Sequence, residues 1–247
     1  MKFNLSGYLP EVPDERDYAF MLTPASYILP EEVIYRSQMT KVENQGARGS
    51  CVGMSGSAIC EFWNWKQTGL PIDLSAEWAY QKAKLYDEFP GSDYSGTTLR
   101  GVCKALKAEG ICLEVLYPYS QTDPAPLPSE QAIKDAETRK IVAYKNLALI
   151  PVLMVEVIKR GIHEFGPVII GVYVYENWSD IGKDGIVPMP KGRMLGGHAL
   201  AAVGYNKDYV ICKNSWGEGF GDSGYLLIPL EYIRKFTNSA WAIDRLI

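Results

Sequence analysis

The chain has 247 residues, of which 47% are hydrophobic and 22% charged, with a net charge of -4. That size and balance suit one large domain or two modest lobes sharing an interface. The acidic balance offers no basic stripe for nucleic-acid phosphates, and no run of 18 apolar residues exists to span a membrane.

Residues 1–28 carry prolines, charges and aromatics without periodicity, and read as an extended arm laid over the body. "VENQGARGS" (42–50) is a loop. From Cys51 onward, Met54, Ala58, Ile59, Phe62 and Trp63 recur at helical spacing. Gly53, Ser55, Gly56 and Ser57 weaken that helix, each Gly by about 1 kcal/mol against Ala. Small residues there imply close approach of another backbone, which places the helix at the centre of the protein. Residues 74–89 predict a second helix with Ser75 as N-cap, and residues 98–110 a third with Gly110 at the C-cap position. The proline-rich stretch 117–130 reads as a crossing between lobes. Residues 152–166 then predict a helix, and 167–175, 198–205, 209–216 and 224–230 predict strands. Helices first and strands later argue for an α+β class with a helical lobe and a sheet lobe.

Five cysteines (51, 60, 103, 112 and 212) without a CxxC pair, and only two histidines, argue against a zinc site. The N-terminus lacks the apolar core of a secretory signal, so reduced thiols in the cytoplasm are expected. Cys60, Cys103, Cys112 and Cys212 read as small buried hydrophobes.

Cys51 differs, because it stands where the loop becomes helix. The partial positive charge and free amides of a helix N-terminus stabilise a thiolate and are expected to lower the thiol pKa. Gln45, six residues upstream, and the Cys51 amide offer two donors for an oxyanion. A cysteine nucleophile works with a base, and His163 near a helix end reads more simply as a capping or surface residue. His198, after two glycines at the start of a strand, reads as the base at a cleft edge. If residues 198–216 form a hairpin with Tyr205 opposite Tyr209, partner numbers sum to 414 and Leu200 faces Asn214. Asn214 then sits diagonal to His198 and within side-chain reach, able to accept from one ring nitrogen and free the other. Trp216 would face His198 and cover that bond.

Several stretches together resemble the papain-like cysteine peptidases. They are "LPEEVIYRSQMTKVENQGARGSC", "LSAEWAY", "GPVIIGVYVY", "GGHALAAVGY" and "KNSWGEGFGDSGY". The 147 residues from Cys51 to His198 fit the family's spacing, while the 163 to Asn214 run slightly over it. The resemblance implies a two-lobe fold over 29–247, with the active site in the cleft between the lobes. The helical lobe would span about 45–125. An antiparallel sheet or barrel lobe would span about 126–247 plus the segment near 29–44. It implies Cys51 as nucleophile, His198 as base, Asn214 as orienting group and Gln45 as oxyanion donor. Gly96 with Thr97, Gly171, Gly196, Gly197 and Trp216 would contact substrate, and the paired glycines before His198 would leave a roomy, uncharged pocket for a large apolar or aromatic side chain. No metal or organic cofactor is implied. The partner would be a peptide or protein, and the oligomeric state is left open. Transfer of the acyl group to an amine, or peptide binding on a silent scaffold, uses the same residues. Two positions depart from the family: Arg48 replaces a signature cysteine, so the usual nearby disulfide cannot form, and Val52 replaces an aromatic. Only about 28 residues precede "LPEEV" where the family has a long helical propeptide, and those residues offer a short blocking arm.

Overall fold

The computed structural model describes residues 7–12, 14, 17, 28–89, 91, 94–120, 122, 125–148 and 151–247. Of the arm, residues 1–6, 13, 15, 16 and 18–27 lie outside the described residues.

Helix α1, Cys51–Thr68, is buried at every position from Cys51 to Phe62. The run of small residues has the expected cause. A Cβ on Gly53 would lie 2.6 Å from the carbonyl oxygen of Ala76, so the start of α2 (Ala76–Lys84) rests directly on α1. Ser75 caps α2 by accepting from the Trp78 amide, as expected, although α2 stops at Lys84 rather than Phe89. Helix α3, Leu99–Ala108, is capped by Thr98, which accepts from the Gly101 amide. It ends on Glu109, one residue before Gly110, whose φ of 75° turns the chain away.

The second half builds one antiparallel sheet. Its strands are β1 (Val33–Ile34), β2 (Tyr144–Asn146), β3 (Val168–Tyr175), β4 (Met194–Tyr205), β5 (Tyr209–Lys213), β6 (Tyr225–Pro229) and β7 (Thr237–Ile243). Their order is β2-β7-β3-β4-β5-β6, with β1 also on β4. Alternation of side chains divides the sheet between two cores. Ile169, Ala199, Ala201, Val203, Trp241 and Ile243 face α1–α3. Ile170, Leu200, Ala202, Ala240 and Ala242 face the opposite way, against α5 (Met154–Phe165) and α6 (Leu230–Phe236). Helix α4 (Glu130–Ala136), α6, β2 and β7 were not read from the sequence. They are short, and β7 is a strand because β3 and β2 pair with it rather than through its own alternation.

The hairpin differs from its predicted register in an instructive way. Near the turn Tyr205 pairs with Val210, not Tyr209, so partner numbers sum to 415. An irregularity between Ala202 and Gly204 then removes one step, and Ala201 pairs with Lys213, restoring 414. The wider turn and the bulge cancel. His198 and Asn214 therefore meet where the simpler register put them.

Candidate active site

Cys51 opens α1, and its Sγ accepts a hydrogen bond from the Ala199 amide at 3.3 Å. Helix and sheet therefore meet at the thiol. Gln45 is held on both ends of its side chain. Its Oε1 accepts from Ser215 Oγ at 2.6 Å and its Nε2 donates to the Arg48 carbonyl at 2.8 Å. One N–H of that amide remains for another acceptor. The loop carrying both groups is fixed by charge. Arg48 is buried and binds both carboxylate oxygens of the buried Glu77, with Nη2 to Oε1 at 3.1 Å, and also donates to the Ser120 carbonyl. A bidentate ion pair thus stands where the related fold would use a disulfide. All five cysteines are free and buried.

His198 is oriented by its surroundings on β4. Its Nε2 shares a hydrogen bond with Asn214 Oδ1 at 2.8 Å, while its Nδ1 is buried without a hydrogen-bond partner among the described residues. Trp216 stacks on the imidazole, with ring centroids 4.6 Å apart and planes 29° apart. Trp178, unremarked in the sequence, packs edge-on to both His198 and Trp216. His163 lies on the last turn of α5, away from these groups.

The arm enters this cleft. Gly7 lies against the thiol, since a Cβ there would come within 2.7 Å of Cys51 Sγ. The next residues pair with both walls: Leu9 N donates to Thr97 O at 3.0 Å, Thr97 N to Gly7 O at 3.3 Å, and Tyr8 N to Gly197 O at 3.4 Å. Further along, Glu11 accepts from the Arg100 amide and Ser239 Oγ, and the Arg100 guanidinium holds Asp17 and the Val12 carbonyl. The Gly7 carbonyl faces Thr97 rather than Gln45, so the peptide over the thiol is not presented for attack.

Covering reverses one expectation. His198 does not stand at an open edge but is wholly buried. Burial also pushes the Cys51 thiol up to about 12, against the opposing hydrogen bonds from the Ala199, Val52 and Cys51 amides. The helix N-terminus was expected to lower it, but with water excluded the desolvation cost is larger. Burial likewise lowers His198 to about 4, opposed by its bond to Asn214. Sulfur and ring are therefore both neutral beneath the arm.

Cys51, His198, Asn214, Gln45 and Trp216 thus converge. Gly197 and Thr97 flank the arm, and Gly171 lies on β3 opposite Ala199 and Ser239. Gly96 gives its amide to the Tyr80 hydroxyl instead of to the arm, and Gly196 pairs with Val174 within the sheet. Tyr8, Arg48 with Glu77, and Trp178 were missed. Only Arg48 carried a signal, as a lone charge in a glycine-rich loop next to a buried helix start.

A sequence profile described as papain family cysteine protease matches residues 29–237. An uncharacterized peptidase C1-like protein of Acanthamoeba polyphaga mimivirus is 28% identical over 96% of this chain and 86% of its own length. Cathepsin S of Bos taurus is 28% identical over 80% of this chain, and the match spans 59% of that protein. Among solved structures, xylellain, a cysteine protease from Xylella fastidiosa, superposes with a TM-score of 0.85 at 27% identity, covering 99% of this chain and 97% of that one. The ragweed Amb a 11 cysteine protease in its proform shares the fold, with a TM-score of 0.71 at 23% identity over 89% of this chain and 68% of that one.

Proposed function

The chain belongs to the papain family of cysteine proteases and is a peptidase, and from that premise we propose that it cleaves peptide bonds through a Cys51–His198–Asn214 site and a thioester acyl-enzyme, with residues 7–12 holding it latent. The observation that carries this reading is the asymmetry of His198. One ring nitrogen is committed to Asn214, and the other has no hydrogen-bond partner among the described residues although the neighbouring residue's amide already touches Cys51 Sγ.

With the arm displaced, the Cys51 proton passes to the open imidazole nitrogen, and the thiolate attacks the substrate carbonyl. The oxyanion is received by the Cys51 amide and the spare N–H of Gln45. His198 returns the proton to the departing amine as the C–N bond breaks, leaving a thioester. Water then loses a proton to His198, attacks the thioester, and releases the acid and the thiol. Asn214 keeps the ring in one orientation throughout, and Trp216 with Trp178 shields that bond from water.

The test is turnover of a peptide library by the full chain and by its Tyr8→Ala form, with products weighed. Hydrolysis products that disappear in Cys51→Ala and His198→Ala are expected. Products joined to an added amine would instead mark a transferase. Absence of any product, with Cys51 unlabelled by an epoxysuccinyl reagent in both forms, would overturn the reading.

A further inference from the structure

Glu61 and Lys213 form an interior ion pair that the reaction itself does not use, the two residues being 3% and 4% exposed. Glu61 lies further along α1 from Cys51, and Lys213 ends β5 immediately before Asn214. Their charged atoms are 3.9 Å apart, and Thr40 joins them. Its hydroxyl donates to Glu61 and accepts from Lys213 Nζ at 3.0 Å. Glu61 also accepts from the Leu74 amide at 3.0 Å. An ionised carboxylate can take about four donors, so it has capacity left.

Beside the pair is a void of about 10 Å³, room for a single water. Glu61, Lys213, Asn214, Ser55, Ser57 and Ser215 line it. The hydroxyl hydrogens of the serines are already given to the Cys51 and Met54 carbonyls and to Gln45. Glu43, the other carboxylate on the void, pairs with the exposed Lys41 at 3.4 Å. Asn214 Nδ2 is buried with no hydrogen-bond partner among the described residues.

The end of the Asn214 amide that meets His198 decides where the ring carries its proton. With Oδ1 there, Nε2 must donate and Nδ1 is left as the base. With Nδ2 there, Nε2 accepts, Nδ1 holds the proton, and the thiol has no nitrogen to receive its own. The two ends have nearly the same shape, so the choice falls to what the far end meets. We propose that Glu61 is a positioning residue which, through one water in the void, keeps Asn214 Nδ2 turned inward and Oδ1 on His198. A water that donates to the carboxylate presents its oxygen to Nδ2, and the serine oxygens offer lone pairs rather than hydrogens. One such bridge biases the two orientations by about tenfold. The inference rests on the Cys51–His198 reading above and adds to it a residue bonded to neither group.

The test reads the His198 ring by nitrogen-15 NMR of the full-length native chain at pH 8. Burial pushes Glu61 up to about 7, so at that pH it is ionised. The native ring should be protonated on Nε2. Glu61→Gln puts N–H donors where the carboxylate had none and turns the water round, so the Nδ1-protonated ring should become the major form. In the Tyr8→Ala background the same change should lower kcat about tenfold and leave KM unchanged. Ala201→Val fills the void from β4 and leaves Glu61 its own bonds, so both tautomers should appear together. That variant decides the matter if Glu61→Gln strands Lys213 and folds poorly. A native ring protonated on Nδ1, or a ring that stays wholly on Nε2 in Ala201→Val or in folded Glu61→Gln, would overturn the proposal. The expected tautomers in a Tyr8→Ala protein that turns over no peptide would fail the peptidase reading instead.

Discussion

The two walls of the cleft are held in different ways. On the helical wall, the groups around the thiol are fixed by charge and polar bonds: Arg48 on Glu77, Ser215 on Gln45, Gln45 on the Arg48 carbonyl. On the sheet wall, the imidazole is fixed by strand register, one hydrogen bond and two tryptophans. The first wall is a loop tied to the sheet wall by a single backbone bridge, Asn44 opposite Trp216, so it relies on directional side-chain anchors for the rest. The second inherits its geometry from backbone pairing and needs only a lid. Damage to the helical wall should therefore be electrostatic and abrupt, and damage to the sheet wall graded.

The sharpest break is at the reacting pair. Cys51→Ala should leave no hydrolysis, and His198→Ala should lower kcat by about 10⁴-fold or more in a steady-state assay of Tyr8→Ala. Gln45→Ala in the same background should lower kcat by about 10²- to 10³-fold with little change in KM, since it acts on the developing oxyanion. Glu77→Gln strands the buried Arg48 charge. It should cost about 3–5 kcal/mol in denaturant unfolding, with a loss of kcat as Gln45 shifts. A stable, fully active Glu77→Gln protein would show that charge does not hold this wall. Asn214→Ala tests the other side gently. Its hydrogen bond raises the His198 pKa, so removal makes the ring a weaker base. The acid limb of the pH–rate profile should move down by about one pH unit or less.

The same comparison separates what the sequence made legible from what it hid. Cys51, His198 and Asn214 were readable because each sits at a boundary with local meaning: a helix start, a strand start, a hairpin arm. Even there the turn was read one residue too tight, and the site was found because the bulge near Val203 compensated. The Arg48–Glu77 pair joins positions 29 apart with no periodic relation, so Arg48 could be read as a missing cysteine but not as its replacement. Tyr8 was less legible still. An extended segment gains its place from a slot between Gly171 and Gly197, and although those glycines read as walls of a roomy substrate pocket, nothing local to Tyr8 places it there. The thiol pKa was misread for the same reason, since helix-terminus electrostatics are local and burial by a distant arm is not.

The covered state also has a pH signature. Beneath the arm the sulfur keeps its proton to about 12 and the ring refuses one until about 4. Relieved of that burial, each group moves back toward its ordinary range, near 8.5 for a free thiol and 6.5 for a free imidazole. Covering is therefore favoured between those ordinary values. It weakens above the thiol range, where only the open state sheds a proton, and below the imidazole range, where only the open ring gains one. Glu11, raised by its own burial, opposes the change on the acid side. The alkaline side is the cleaner one to read.

The most direct measurement is the rate of Cys51 alkylation from pH 7 to 10 in the native chain and in Tyr8→Ala, read by mass. The native thiol should react about 100-fold more slowly at pH 7, in line with the roughly 3 kcal/mol or more lost when a buried aromatic is truncated, and the gap should narrow toward pH 10 as covering weakens. The Tyr8→Ala thiol should be alkylated readily from pH 7 upward. Equal rates in the two proteins would contradict a Cys51–His198 pair held latent beneath the arm.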